Sequence, residues 1–127
     1  MELVAIVVLL SLIQYTYFGA LVGKARMTYK IEAPAVSGDP IFERYYRVQM
    51  NTLESLVLFL PSIFIFATYI RADVAAALGV VFIIGRQLYQ RAYVKDPKSR
   101  ELGYLLTILP SAILAIGGIV GAIMSMS

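Results

Sequence analysis

Two segments of this chain, Leu3 to Val22 and Leu102 to Met124, run without a single charged residue. A helix needs roughly 20 mostly apolar residues to cross a bilayer, and both segments reach that length. In a chain of only 127 residues, 60% of them hydrophobic, two such runs make lipid rather than water the principal solvent. The first run opens on Met1-Glu2 instead of a basic stretch and stays apolar too long for a cleaved signal, so it is expected to be the first span.

Two shorter apolar stretches lie between them, Ser55 to Ile70 and Val74 to Ile84, each flanked by charge. They read as the buried parts of longer helices. Asp39 is suited to cap the second, with Pro40 at its first position and Glu43 in its first turn, so that helix is expected from about Pro40 to Ile70. Arg71-Ala72-Asp73 leaves room only for a tight turn between antiparallel helices, and a third helix follows from about Asp73 to Val94. Pro97 then ends the helical run within a loop of Lys95 to Ser99. The expected fold is all-α: one membrane domain over residues 1–127, four helices running up-down-up-down. Gly19 and Gly23, and likewise Gly117 and Gly121, stand four apart, a spacing that allows a neighbouring helix to approach closely.

Ten of the 11 Lys and Arg residues gather around the first loop (Lys24, Arg26, Lys30, Arg44, Arg47) and the third (Arg86, Arg91, Lys95, Lys98, Arg100). Only Arg71 lies at the opposite end. The positive-inside rule therefore puts the first and third loops in the cytoplasm, in either a bacterial inner membrane or an endoplasmic reticulum.

The chain has neither Cys nor His, which removes disulfides, thiolate metal sites, a cysteine nucleophile and the commonest general base. No metal is expected, and no nucleic-acid partner. Chemistry must rest on Arg, Tyr, Glu, Asp, Ser or a bound cofactor. Arg44, Arg47, Asn51 and Glu54 step by three, four and three along the second helix, so they form one stripe. Glu54 lies roughly 15 Å deeper than Arg44 at the helical rise, just before the apolar run Leu56 to Leu60. A carboxylate there is expected to be buried and to need a partner or a ligand. Arg86, Tyr89 and Tyr93 form a matching stripe on the third helix, with Arg100 beyond Pro97. Antiparallel packing brings the stripes together as a pocket suited to a small ligand with several carboxylates and an amine, which Arg26 can join. Singly, the tyrosines also suit an interfacial belt and the arginines lipid phosphates, and Glu54 an ion pair with Arg86.

The string Gly38-Asp39-Pro40-Ile41-Phe42-Glu43-Arg44-Tyr45-Tyr46-Arg47-Val48-Gln49-Met50-Asn51, followed by Glu54, resembles the signature of the MAPEG family, the membrane-associated proteins in eicosanoid and glutathione metabolism. Arg86-Gln87-Leu88-Tyr89-Gln90-Arg91-Ala92-Tyr93 with Arg100 is similar to that family's second motif. The resemblance covers the whole chain and is strongest to the branch that holds leukotriene C4 synthase and the microsomal glutathione transferases. It implies a homotrimer with glutathione as co-substrate between neighbouring subunits. Arg47, Asn51, Glu54, Tyr89 and Tyr93 would bind it from one subunit, and Arg26 and Gln49 from the next. Arg100 falls where the family has the arginine that stabilises the thiolate. The implied activity is a glutathione transferase, with peroxidase activity open, acting on a lipophilic electrophile or lipid hydroperoxide. Ser55 and Met27 depart from the leukotriene synthase pattern, which has tyrosine and a second arginine there, so leukotriene synthesis itself is not implied. The same family contains a lipoxygenase-activating protein, so a non-catalytic lipid-binding or partner-presenting role is the alternative. A polar path through the membrane is a third class, without an inverted repeat to support it.

Overall fold

A computed structural model describes all residues from Met1 to Ser127. Four helices account for most of the chain: α1 (Glu2–Tyr29), α2 (Pro40–Tyr69), α3 (Ala72–Lys95) and α4 (Glu101–Met124), with one 3-10 turn at Pro97–Ser99. All four are long and apolar enough to cross a bilayer. The shortest, at 24 residues, is about 36 Å long at the helical rise, against a hydrocarbon core of about 30 Å. Of 97 backbone hydrogen bonds, 86 lie within these helices, as a lipid solvent that offers no partners requires.

The boundaries follow from local chemistry. Asp39 accepts hydrogen bonds from the N–H groups of Ile41 and Phe42, with Pro40 at the first helical position. Asp96 accepts from Lys98 N–H and so shapes the 3-10 turn that leads to Arg100. α1 outruns its charge-free part, because a glycine such as Gly23 costs a helix only about 1 kcal/mol and does not end it. The stop comes at Lys30, whose left-handed backbone (φ 57°) returns its N–H to Arg26 O. Lys24 and Arg26 therefore stand on helix.

α2 and α3 form the centre of the bundle, with α1 and α4 each packed against both. On α1 the buried residues Val4, Val7, Ser11, Phe18, Val22 and Ala25 recur at steps of three, four or seven and make one inward seam. The outward face is just as apolar, with Leu3, Ile6, Leu9 and Ile13 exposed, as suits contact with acyl chains. Phe59 and Phe82 stack at the core with centroids 3.9 Å apart. The predicted glycine pairs serve contacts inside this chain: Gly19 lies against Gln49, and Gly117 and Gly121 lie against Phe66, Tyr69 and Ile70 of α2. Gly23 has no neighbour there. Two other glycines decide where α4 sits. A side chain at Gly103 would collide with the backbone of Tyr89, and one at Gly85 with that of Leu106. Their close approach carries α4 against the Arg86 stretch of α3.

Candidate functional site

Arg86 is fully buried, at 0% exposure, and is the largest such side chain in the molecule. Its Nη2 donates to Asn51 Oδ1 and to Thr52 Oγ1, both at 2.9 Å, and its Nη1 donates to Thr107 Oγ1 at 3.2 Å. The two threonines are oriented for this. Each hydroxyl donates its own hydrogen to a carbonyl four residues back, Val48 O and Gly103 O, which leaves lone pairs turned toward the guanidinium. The guanidinium carbon also lies 4.3 Å from the centroid of the Tyr89 ring, and Tyr89 stacks on Tyr93 at 5.5 Å. No carboxylate comes within ion-pair distance of it: the chain's ion pairs are Met1–Glu2 and Arg71–Asp73. A buried cation balanced only by neutral acceptors and one aromatic face keeps most of its field. Arg86 Nε has no partner at all.

Beside this knot lies a cavity of about 250 Å³ between α2, α3 and α4. Asn51, Glu54, Ser55, Arg86, Tyr104, Thr107 and Ser111 supply its polar wall, and Leu58 and Ile108 its apolar part. A second hollow, about 470 Å³, is lined by Arg47 and Tyr93 together with Glu43, Arg44, Tyr46 and Pro97. Arg100 borders a third, about 430 Å³, with Glu101, Tyr104 and Leu105. Tyr104 lines the first and the third, and Arg100 of the third donates from Nη1 to Pro97 O of the second.

Most of the expected gathering is present. Arg47, Asn51, Arg86, Tyr89, Tyr93 and Arg100 stand at one end of the bundle, and the two stripes meet through the Arg86–Asn51 bond. Tyr89 is 4% exposed, which rules it out as a belt residue. Four expectations need correction. Glu54 is exposed at the cavity mouth rather than buried, and it makes no ion pair with Arg86. Its step of three from Asn51 turns it about 60° round the helix, so it does not share Asn51's bond with Arg86. Arg100 borders its own hollow instead of sharing one with Arg47 and Tyr93, because the 3-10 turn holds it against Pro97. Arg44 lines the second hollow but commits its Nη1 within the chain, donating to Val94 O at 3.0 Å and Lys95 O at 3.3 Å and closing the carbonyl end of α3. Arg26 does not join the pocket of its own chain. It stacks over Phe42 at 5.0 Å and donates to Ala35 O at 2.6 Å, while Gln49 lies against Gly19 on the side of α2 that faces α1.

Tyr104, Thr107 and Ser111 belong to the polar lining, and Thr52 to the knot behind it, without having been singled out from the sequence. Arg100, Tyr104, Thr107 and Ser111 are spaced four, three and four apart on α4, the same signal that exposed the other two stripes. Within a charge-free span, hydroxyl groups read as incidental.

Comparison with known proteins shows the family. The model of the MAPEG family matches residues 4–120. Human microsomal glutathione S-transferase 2 is 40% identical over 119 residues, covering 94% of this chain and 81% of that protein. An uncharacterized protein of Synechocystis is 40% identical over 115 residues, covering 91% of this chain and 84% of its own. Leukotriene C4 synthase of Cavia porcellus is 34% identical over 98 residues, covering 77% of this chain and 65% of that enzyme.

Proposed function

Since the chain belongs to the MAPEG family, we propose that it is a membrane-bound glutathione transferase. It holds glutathione as thiolate at the arginine-rich end of the bundle for attack on a lipophilic electrophile. The observation that carries this reading is the exposed, unpaired carboxylate of Glu54 in a cavity whose wall Arg86 fixes through Asn51, with Arg47 and Arg100 exposed and unpaired at the same end of the bundle. Relatives named as a glutathione transferase and a leukotriene C4 synthase support it.

The roles divide by charge. Glu54, without a cation of its own, receives the ammonium of glutathione. Arg47 and Arg26 receive its carboxylates, and Asn51, Gln49, Tyr89 and Tyr93 its amides and polar edges. Arg100 faces the thiol. A cysteine thiol ordinarily has a pKa near 8.5, and a guanidinium beside it in a poorly hydrated site favours the thiolate. Arg100 holds that anion without titrating, since guanidinium stays protonated. The thiol proton passes to water, the sulfur pair forms the new bond to carbon, and the leaving group departs with its own pair.

One subunit holds only part of such a site. Arg26 and Gln49 lie on the α1 side of α2, and Asn51 and Glu54 on the other. A homotrimer in which α1 and α2 of one copy cover the cavity of the next brings the two sets together, and covers Glu54. The positive-inside rule turns this end to the cytoplasm.

The test uses purified protein in detergent micelles. Titration calorimetry with millimolar glutathione is expected to give heat, the ultraviolet thiolate band is expected to rise, and chlorodinitrobenzene is expected to be conjugated. Absence of both heat and thiolate from protein of intact oligomeric state returns the chain to the non-catalytic, lipid-binding reading.

A further inference from the structure

We propose that Tyr104 is a catalytic residue for electrophiles whose leaving atom is oxygen. Its phenol, on the wall between the Arg100 hollow and the Asn51–Glu54–Arg86 cavity, protonates the alkoxide released as the thiolate attacks. The inference rests on the transferase reading above and adds both a residue and a substrate class to it.

Three observations lead there. Tyr104 is the one side chain that borders both hollows, so glutathione held by Asn51 and Glu54 in the cavity with its sulfur toward Arg100 meets an electrophile beside it. It stands one helical turn beyond Arg100, on the same face of α4, with its own N–H bonded to Arg100 O. Its hydroxyl is bonded to nothing in the chain, whereas the nearby hydroxyls of Ser55, Thr107 and Ser111 already donate to helix carbonyls at Asn51, Gly103 and Thr107. Among the hydroxyls of this cavity, Tyr104 alone has a hydrogen free for a ligand. Ser55 lines the same cavity with a side chain too short to span it. Tyr104 is 46% exposed next to the exposed Leu102 and Leu105, so a substrate arriving from lipid reaches it directly.

The chemistry decides which substrates depend on it. When the thiolate opens an epoxide, the sulfur–carbon bond forms and the carbon–oxygen bond breaks. The oxygen leaves as an alkoxide, a strong base that needs a proton. The phenol supplies it and recovers one from water, leaving a hydroxy thioether. A chloride leaving an aromatic ring is a stable anion and needs none. General acid help of this kind typically contributes roughly 10²-fold or more in rate.

The experiment compares the wild-type chain with Tyr104→Phe, each with glutathione and either styrene oxide or chlorodinitrobenzene. The expected result is a fall in the epoxide kcat at least tenfold larger than any fall in the aryl chloride kcat, with the KM for glutathione little moved. Equal losses on both substrates mean that the ring only packs, and no loss on either means that it is an interfacial anchor. Each overturns the proposal, as does a wild-type chain that conjugates the chloride but leaves the epoxide untouched. The thiolate band of the wild type separates this failure from the larger one: thiolate with an unchanged substrate ratio sinks the role of Tyr104 alone. No thiolate and no turnover sink the transferase reading with it.

Discussion

The Arg86 knot and the rim of Glu54, Arg47 and Arg100 lie in one region of the bundle and are built on opposite plans. In the knot, a buried cation finds its acceptors on α2 and α4 within the same chain, so its geometry is complete in one subunit. On the rim, Glu54 and Arg100 are exposed, and neither forms an ion pair within the chain. The difference teaches which groups hold the bundle and which await something outside it. A charge satisfied by its own fold contributes to position, and a charge left open at a cavity mouth is available to a ligand or to a second copy.

Substitutions on the two sides should therefore part company. The largest expected effect is on the rim: Arg100→Ala should lower conjugation kcat by roughly 10²-fold or more, the loss typical of removing a donor to a developing or resident anion. Its melting temperature in detergent should stay close to that of the wild type, and a parallel fall in both would erase the distinction. Arg86→Leu should do the reverse in order. It strips three hydrogen bonds from α2 and α4 and is expected to cost about 2–3 kcal/mol by denaturant or thermal unfolding, with activity lost as a consequence of the displaced Asn51. Glu54→Gln should weaken glutathione binding by about tenfold by calorimetry, as for one lost charge-assisted contact, while unfolding is unmoved. The smallest effect belongs to Thr107→Val, which removes one acceptor from Arg86 and should cost about 1 kcal/mol of stability without changing the substrate ratio. Were Glu54→Gln instead to melt the protein, Glu54 would be a structural group hidden between copies.

The helices were legible because their causes are local. Charge-free runs, Asp39-Pro40 and Lys95-Asp96-Pro97 each act within one turn of chain, and the observed ends of α2 and α3 fall within a residue or two of those expected. The site was legible in part, for the same reason: a stripe along one helix is read from spacing alone, which is how Arg47, Asn51, Glu54, Arg86, Tyr89 and Tyr93 emerge.

From the order of residues follow four spans, their antiparallel sequence and the polar stripes, since each depends on composition, loop length or periodicity within a single helix, while the resemblance to the family rests on its two motifs. The contact partners across helices do not follow. That Arg86 reaches Asn51 and Thr52 and that Arg44 closes α3 depend on how α2 packs on α3, and that Arg86 reaches Thr107 depends on how far α4 can approach α3 at Gly85 and Gly103. Rotation of a helix about its own axis is set by packing against its neighbours, and no repeat within one helix encodes it.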